Sequence, residues 1–75
     1  MQSDIIAQFR SAFEKARDEY IAAINAHANA LVAALGADSD TVNREYERAS
    51  TDLMRKHAAY HQAAENLREL GSRRL

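Results

Sequence analysis

Two histidines spaced four residues apart are the side chains in this 75-residue chain that come nearest to a chemical motif. His57 and His61 fall on one face of a helix, about one turn apart, and Glu65 follows four residues later. Imidazole is a frequent zinc ligand, and zinc usually takes four ligands. The residues expected opposite on a neighbouring helix are Lys15 and Glu19, of which only Glu19 could be a further ligand. His57 and His61 are therefore weak candidates for a metal site, and solvated histidines are the simpler interpretation.

Other catalytic patterns are missing from the sequence. It has no cysteine, so it has no thiol nucleophile and no disulfide, and its two glycines do not form a phosphate loop or a nucleophile elbow. We therefore expect a protein that is not an enzyme and that uses no cofactor. The chain also lacks proline and is rich in alanine, which favours long uninterrupted helices.

The most regular spacing lies in the second half of the chain, where large residues recur every seven positions. Such spacing keeps side chains on one line of a helix, as in a coiled coil, and a partner helix must lie along that line. We call this line the seam; it comprises Val42, Tyr46, Ala49, Leu53, Lys56, Tyr60, Ala63, Leu67 and Leu70. The first half carries a matching inner stripe in steps of three and four: Ile6, Phe9, Phe13, Ala16, Tyr20, Ala23, His27, Ala30 and Ala34.

Helix-ending signals divide the two halves. Gly36 is expected to stop the first helix in a left-handed conformation, and Asp38, Ser39 and Asp40 are candidate N-caps of the second, which Gly71 is expected to end. This predicts one domain over 1–75, with helix 1 at about 4–35, a turn at 36–39 and helix 2 at about 40–70. A turn this short places the helices side by side and antiparallel, so the predicted fold is an all-α hairpin.

The register follows from placing Leu35 opposite Thr41. Tyr60 then faces Ala16, and Tyr46 faces Ala30, so most layers set a large residue against a small one, which allows the helices to approach closely. Two layers depart from this pattern: Tyr20 faces Lys56, and His27 faces Ala49. Lys56 is expected to lie along the seam with its ammonium group in water, and His27 to pack with its polar tip at the edge.

A second apolar stripe on helix 1 lies about 100° round from the first, where the hairpin partner cannot cover it. Helix 2 places Met54 and the two histidines beside it. We call the combined surface the flank face; it comprises Ile21, Ile24, Ala28, Leu31, Leu35, Met54, His57 and His61. Large aliphatic side chains left in water cost about 1.5 to 3 kcal/mol each relative to burial, so we expect a protein partner to cover this face.

The first hypothesis is thus a small interaction module that forms a homodimer, completing a four-helix bundle, or that docks another helical protein as an adaptor. The formal net charge is -1, so no global field attracts nucleic acid or lipid, and no run of residues is long and apolar enough to predict a membrane span. A cytoplasmic location is expected, with secretion that needs no signal peptide left open.

Two alternatives depend on architecture. The hairpin is similar to small secreted and chaperone subunits of bacterial secretion systems, although Leu35-Gly36 lacks the tryptophan of the type VII turn motif and Glu65 follows Tyr60 by five residues instead of four. It is also similar in architecture to the RNA-binding hairpin dimers of the plasmid-copy-number (Rop-like) family. In that alternative the arginine-rich end would bind RNA through Arg68, Arg73 and Arg74.

Overall fold

The computed structural model contains two long α-helices joined by a short turn. It describes the backbone of residues 2–37 and 39–73 and the side chains of residues 4–37 and 39–72. Helix α1 spans Gln2–Gly36 and helix α2 spans Asp40–Arg73. Within these ranges there is no strand, and the two helices pack against each other. The prediction of an all-helical hairpin is confirmed.

The turn between the helices differs in detail from the prediction. Gly36 is the last residue of α1, but no glycine in the described ranges has a positive φ, so the predicted left-handed conformation is wrong. The backbone N–H of Asn43 donates to the carbonyl oxygen of Ser39 at 3.1 Å, which is the first helical bond of α2 and makes Ser39 its N-cap residue. Asp40 is the first residue of α2, and Asp38 lies outside the described residues.

Helix α2 extends further at its C-terminal end than predicted, because Gly71 does not end the helix. The helix continues to Arg73, and a Cβ added at Gly71 would meet no atom within 4 Å. A single glycine inside a helix costs only about 1 kcal/mol relative to alanine, which one more turn of backbone hydrogen bonds can offset. Glycine alone is therefore a weak stop signal here.

The contact between the helices follows the predicted lines. Every residue of the seam and of the inner stripe is at least partly buried. Ala23, which is 4% exposed, is the only buried residue in the described ranges. A two-helix rod has one line of contact and no enclosed interior, so most side chains keep part of their surface in water.

Aromatic rings interleave along this line of contact. The ring of Tyr60 lies between those of Phe13 and Tyr20, with centroid distances of 5.3 and 5.2 Å. This is where the predicted register, with Tyr60 opposite Ala16, places it. The predicted pairing of one large with one small residue in each layer was incomplete, however. An aromatic side chain is long enough to span the helical pitch of about 5.4 Å, so it also contacts rings one turn away on the other helix. His27 makes a similar contact with Tyr46 at 5.1 Å.

Candidate functional site

The flank face is exposed along the hairpin. Its large apolar side chains retain 37% to 79% of their surface in water: Ile21 48%, Ile24 41%, Leu31 37%, Leu35 79% and Met54 73%. Ala28, His57 and His61 are exposed as well. The structure thus leaves all eight predicted interface residues accessible, with the aliphatic members on α1 between its middle and the turn and the histidines about halfway along α2.

The flank face begins at the edge of the helix contact. The ring of His57 packs edge-on against Tyr20, with centroids 5.2 Å apart, and Tyr20 belongs to the inner stripe directly before Ile21. The aromatic contacts therefore run without a break from Phe13 inside the hairpin, through Tyr60 and Tyr20, to the histidine pair outside. The sequence did not predict the role of Tyr20 as a support for His57. The predicted register could have indicated this contact, because it places Tyr20 opposite Lys56, the residue directly before His57.

His57 and His61 are in direct contact. Their ring centroids are 4.4 Å apart with an interplanar angle of 68°, and the ring of Tyr60 lies 6.2 Å from that of His61. The predicted pairing of these two side chains on one helix face is therefore present in the structure. Two aromatic neighbours restrict the rotamers that the imidazole rings can take.

The predicted third ligand is not part of this cluster. Glu19 lies beside Lys56 across the helix contact, with Nζ and Oε2 3.9 Å apart, while the nearest ring to His57 on α1 is that of Tyr20. The histidines project from a different side of α2 than Lys56, since adjacent helical residues lie about 100° apart. Among the described residues, no three side chains of the metal-ligating types His, Asp and Glu come together.

The arginine-rich end shows a local ion pair. The guanidinium of Arg68 lies 3.5 Å from the carboxylate of Glu65, three residues earlier on the same helix, and both side chains are mostly exposed. Exposed pairs of this kind contribute about 0 to 1 kcal/mol. The side chain of Arg73 and the whole of Arg74, which the RNA-binding alternative also needs, lie outside the described residues.

A shallow, open groove lies on α2. Its lining mixes two acidic and two basic side chains with small residues, a composition that selects no charge of ligand: Glu45, Arg48, Ala49, Thr51, Asp52 and Arg55. It lacks the enclosure and the apolar lining that small-molecule sites usually have. The flank face therefore remains the surface with the most distinctive chemistry.

Comparison with protein-family models, curated proteins and solved structures finds no match to this chain. In the described ranges, neither helix has an apolar stretch long enough to cross a bilayer.

Proposed function

We propose that the protein is a small, non-enzymatic interaction module that self-associates through the flank face into a two-fold symmetric four-helix bundle. The observation that carries the proposal is the row of large aliphatic side chains that a single hairpin leaves in water. Contiguous apolar patches of this kind mark association surfaces in small proteins. A second hairpin supplies the two further helices that would enclose them.

The total solvent-exposed area of the chain supports a partner as large as a second hairpin. The chain exposes 5889 Å², whereas a folded monomer of its mass, 8.4 kDa, exposes about 4600 Å². The excess is about 1300 Å² per chain. Stable homodimers bury about 2000 Å² or more in total, which is about 1000 Å² from each chain. Covering the excess would therefore give an interface in the range of obligate homodimers.

The dimensions of the hairpin agree with this estimate. The Cα trace extends 55 × 14 × 13 Å, and its radius of gyration is 16.8 Å, against about 11 Å for a compact domain of 75 residues. One broad side of the rod, two helix diameters wide and 55 Å long, offers about 1100 Å². Only a partner of similar length could cover it, and a second copy has that length.

The chemistry of the flank face also permits self-packing. None of its eight residues is Lys, Arg, Asp or Glu, so two copies meet without repulsion between like carboxylates or ammonium groups. Closed two-fold dimers pair a patch with itself, and they are the commonest homo-oligomers. A patch that is apolar and free of formal charge satisfies the requirement of self-complementarity better than a patch of one charge sign.

The test is the Ile24→Glu, Leu31→Glu double variant, measured by sedimentation equilibrium. Both side chains are exposed in the single hairpin, so the glutamates should leave the helical circular dichroism spectrum intact while they dissociate the dimer. The matched control is Ala33→Glu. Ala33 is also exposed, but it lies about 200° from Leu31 and from Leu35, on the side of α1 turned away from the flank face.

Three results decide between the hypotheses. A dimer that Ala33→Glu preserves and the double variant dissociates supports self-association. A folded monomer at millimolar concentration overturns it. A pure chain with little helicity, which becomes helical only with a different protein, overturns it in favour of the heteromeric alternative.

A further inference from the structure

The histidine pair on the flank face places two potential metal ligands within one helical turn of each other. His57 and His61 are exposed, four residues apart, and their ring centroids are 4.4 Å apart. Two imidazoles one helical turn apart can direct one nitrogen each to a shared ion. With no carboxylate in the cluster, the donor set is two neutral nitrogens, which suits Zn²⁺, Cu²⁺ or Ni²⁺ far better than Mg²⁺ or Ca²⁺.

The surroundings of the pair favour ligation. The ring of Tyr20 contacts that of His57 at a centroid distance of 5.2 Å, and the ring of Tyr60 lies 6.2 Å from that of His61, so each imidazole has an aromatic neighbour before any ion binds. Side chains that are already ordered lose less conformational entropy on binding. The nearest acid across the helix contact, Glu19, faces Lys56, so the pair has no competing carboxylate from α1.

One hairpin supplies only half of a zinc coordination shell, because zinc usually takes four ligands and the described residues offer no third one here. The proposed dimer offers the other half. His57 lies at the middle of α2 (Asp40–Arg73). A two-fold axis that crosses the rods at their middle keeps His57 level with its copy and places α2 opposite the α2 of the copy. An axis that runs along the rods would instead place α2 opposite the α1 of the copy, so the shared site requires the arrangement in which the two rods are antiparallel.

We propose that His57 and His61 bind a divalent transition-metal ion of the zinc class, and that the ion is shared between the histidine pairs of two copies, so that metal strengthens self-association. The ion would be held by four imidazole nitrogens, two from each chain. The proposal rests on the self-association proposed above, because the second pair of ligands comes from the partner copy.

The experiment is a titration of the untagged chain with zinc chloride, followed by calorimetry and by sedimentation equilibrium with and without EDTA. We expect one zinc ion per two chains and a dimer dissociation constant at least tenfold lower with zinc. His57→Ala and His61→Ala should each abolish both effects. His27→Ala is the matched control, since His27 is a lone histidine packed against Tyr46, and it should retain both.

The two proposals fail in different ways. Zinc binding that persists in His57→Ala and His61→Ala, or that is absent from the native chain, overturns the metal site. One ion per chain with no change in dimerisation overturns the sharing. A dimer in EDTA that the Ile24→Glu, Leu31→Glu variant dissociates supports self-association whatever zinc does, and a monomer in EDTA and in zinc overturns self-association.

Discussion

Met54 provides the sharpest test of whether the interface spans both helices. It is the one large apolar side chain that α2 contributes to the flank face, and it is 73% exposed in the hairpin. If only α1 were covered by a partner, truncation of Met54 would have no effect on association. If the flank face packs as a unit, Met54→Ala removes apolar surface that the dimer buries.

The expected magnitude follows from this exposure. Full burial of a methionine side chain is worth about 1.5 to 3 kcal/mol, and about three quarters of that remains to be gained on association. The alanine methyl group keeps part of it, so the loss is about 0.7 to 1.5 kcal/mol per chain. Each substitution occurs twice in a symmetric dimer. The dissociation constant should therefore rise roughly 10- to 150-fold.

Sedimentation equilibrium over a range of loading concentrations measures this change directly. The control is Arg48→Ala, because Arg48 also has an exposed side chain on α2 but lies about 120° from Met54 and about 180° from His57 around the helix axis. It should leave the dissociation constant within about twofold, since exposed substitutions that lose no contact are close to neutral. Equal effects of the two variants would refute the assignment of the interface to the flank face.

Three further predictions concern the hairpin itself, each measured by urea unfolding at fixed protein concentration. Tyr60→Ala should lower the free energy of unfolding by about 2 to 4 kcal/mol, because it removes a half-buried ring and its contacts with Phe13 and Tyr20; a loss below about 0.5 kcal/mol would contradict this packing. Gly71→Ala should stabilise by about 0.5 to 1 kcal/mol, since Gly71 is helical with open space around it, whereas destabilisation would mean that Gly71 ends the helix after all. Lys56→Leu should stabilise by about 1 kcal/mol, because its ion pair is partly exposed and weak while the seam rewards apolar burial; a loss would show that the ion pair matters more than burial.

The fold could be predicted because the signal is repeated along the whole chain. The three-and-four spacing from Ile6 to Ala34 fixes which side of α1 faces α2, and the seven-residue spacing from Tyr46 to Leu67 does the same for α2. A slip of one residue in either helix would rotate every one of these side chains by about 100°. The helix ends were less predictable, because the signals at Gly36 and Gly71 each depend on a single residue whose intrinsic preference is worth about 1 kcal/mol, and α2 continues past Gly71 to Arg73.

The flank face could be predicted in outline for the same reason, whereas the local contacts could not. Periodicity placed His57 and His61 on one side of α2 but did not say which α1 side chain would meet them. The register predicted that Glu19 would lie opposite His57, whereas in the structure Tyr20 contacts His57. The two residues are adjacent in α1, but their side chains point about 100° apart around the helix axis. Spacing along a helix therefore predicts which side chains share a face, and contacts across helices also require the side-chain direction.

The unequal character of the two helices is the physical basis of the proposed association. On α1, apolar residues occupy two stripes about 100° apart, and one neighbouring helix covers only a stripe about 100° wide. On α2, the positions that flank the seam are largely polar. One neighbouring helix therefore covers most of the apolar surface of α2, but only one of the two apolar stripes of α1. A four-helix bundle gives each helix two neighbours, which is the number that α1 requires. The aliphatic row from Ile21 to Leu35 is exposed because α1 has one neighbouring helix, whereas its two apolar stripes would be covered by two. A second copy of the chain would supply the additional neighbour.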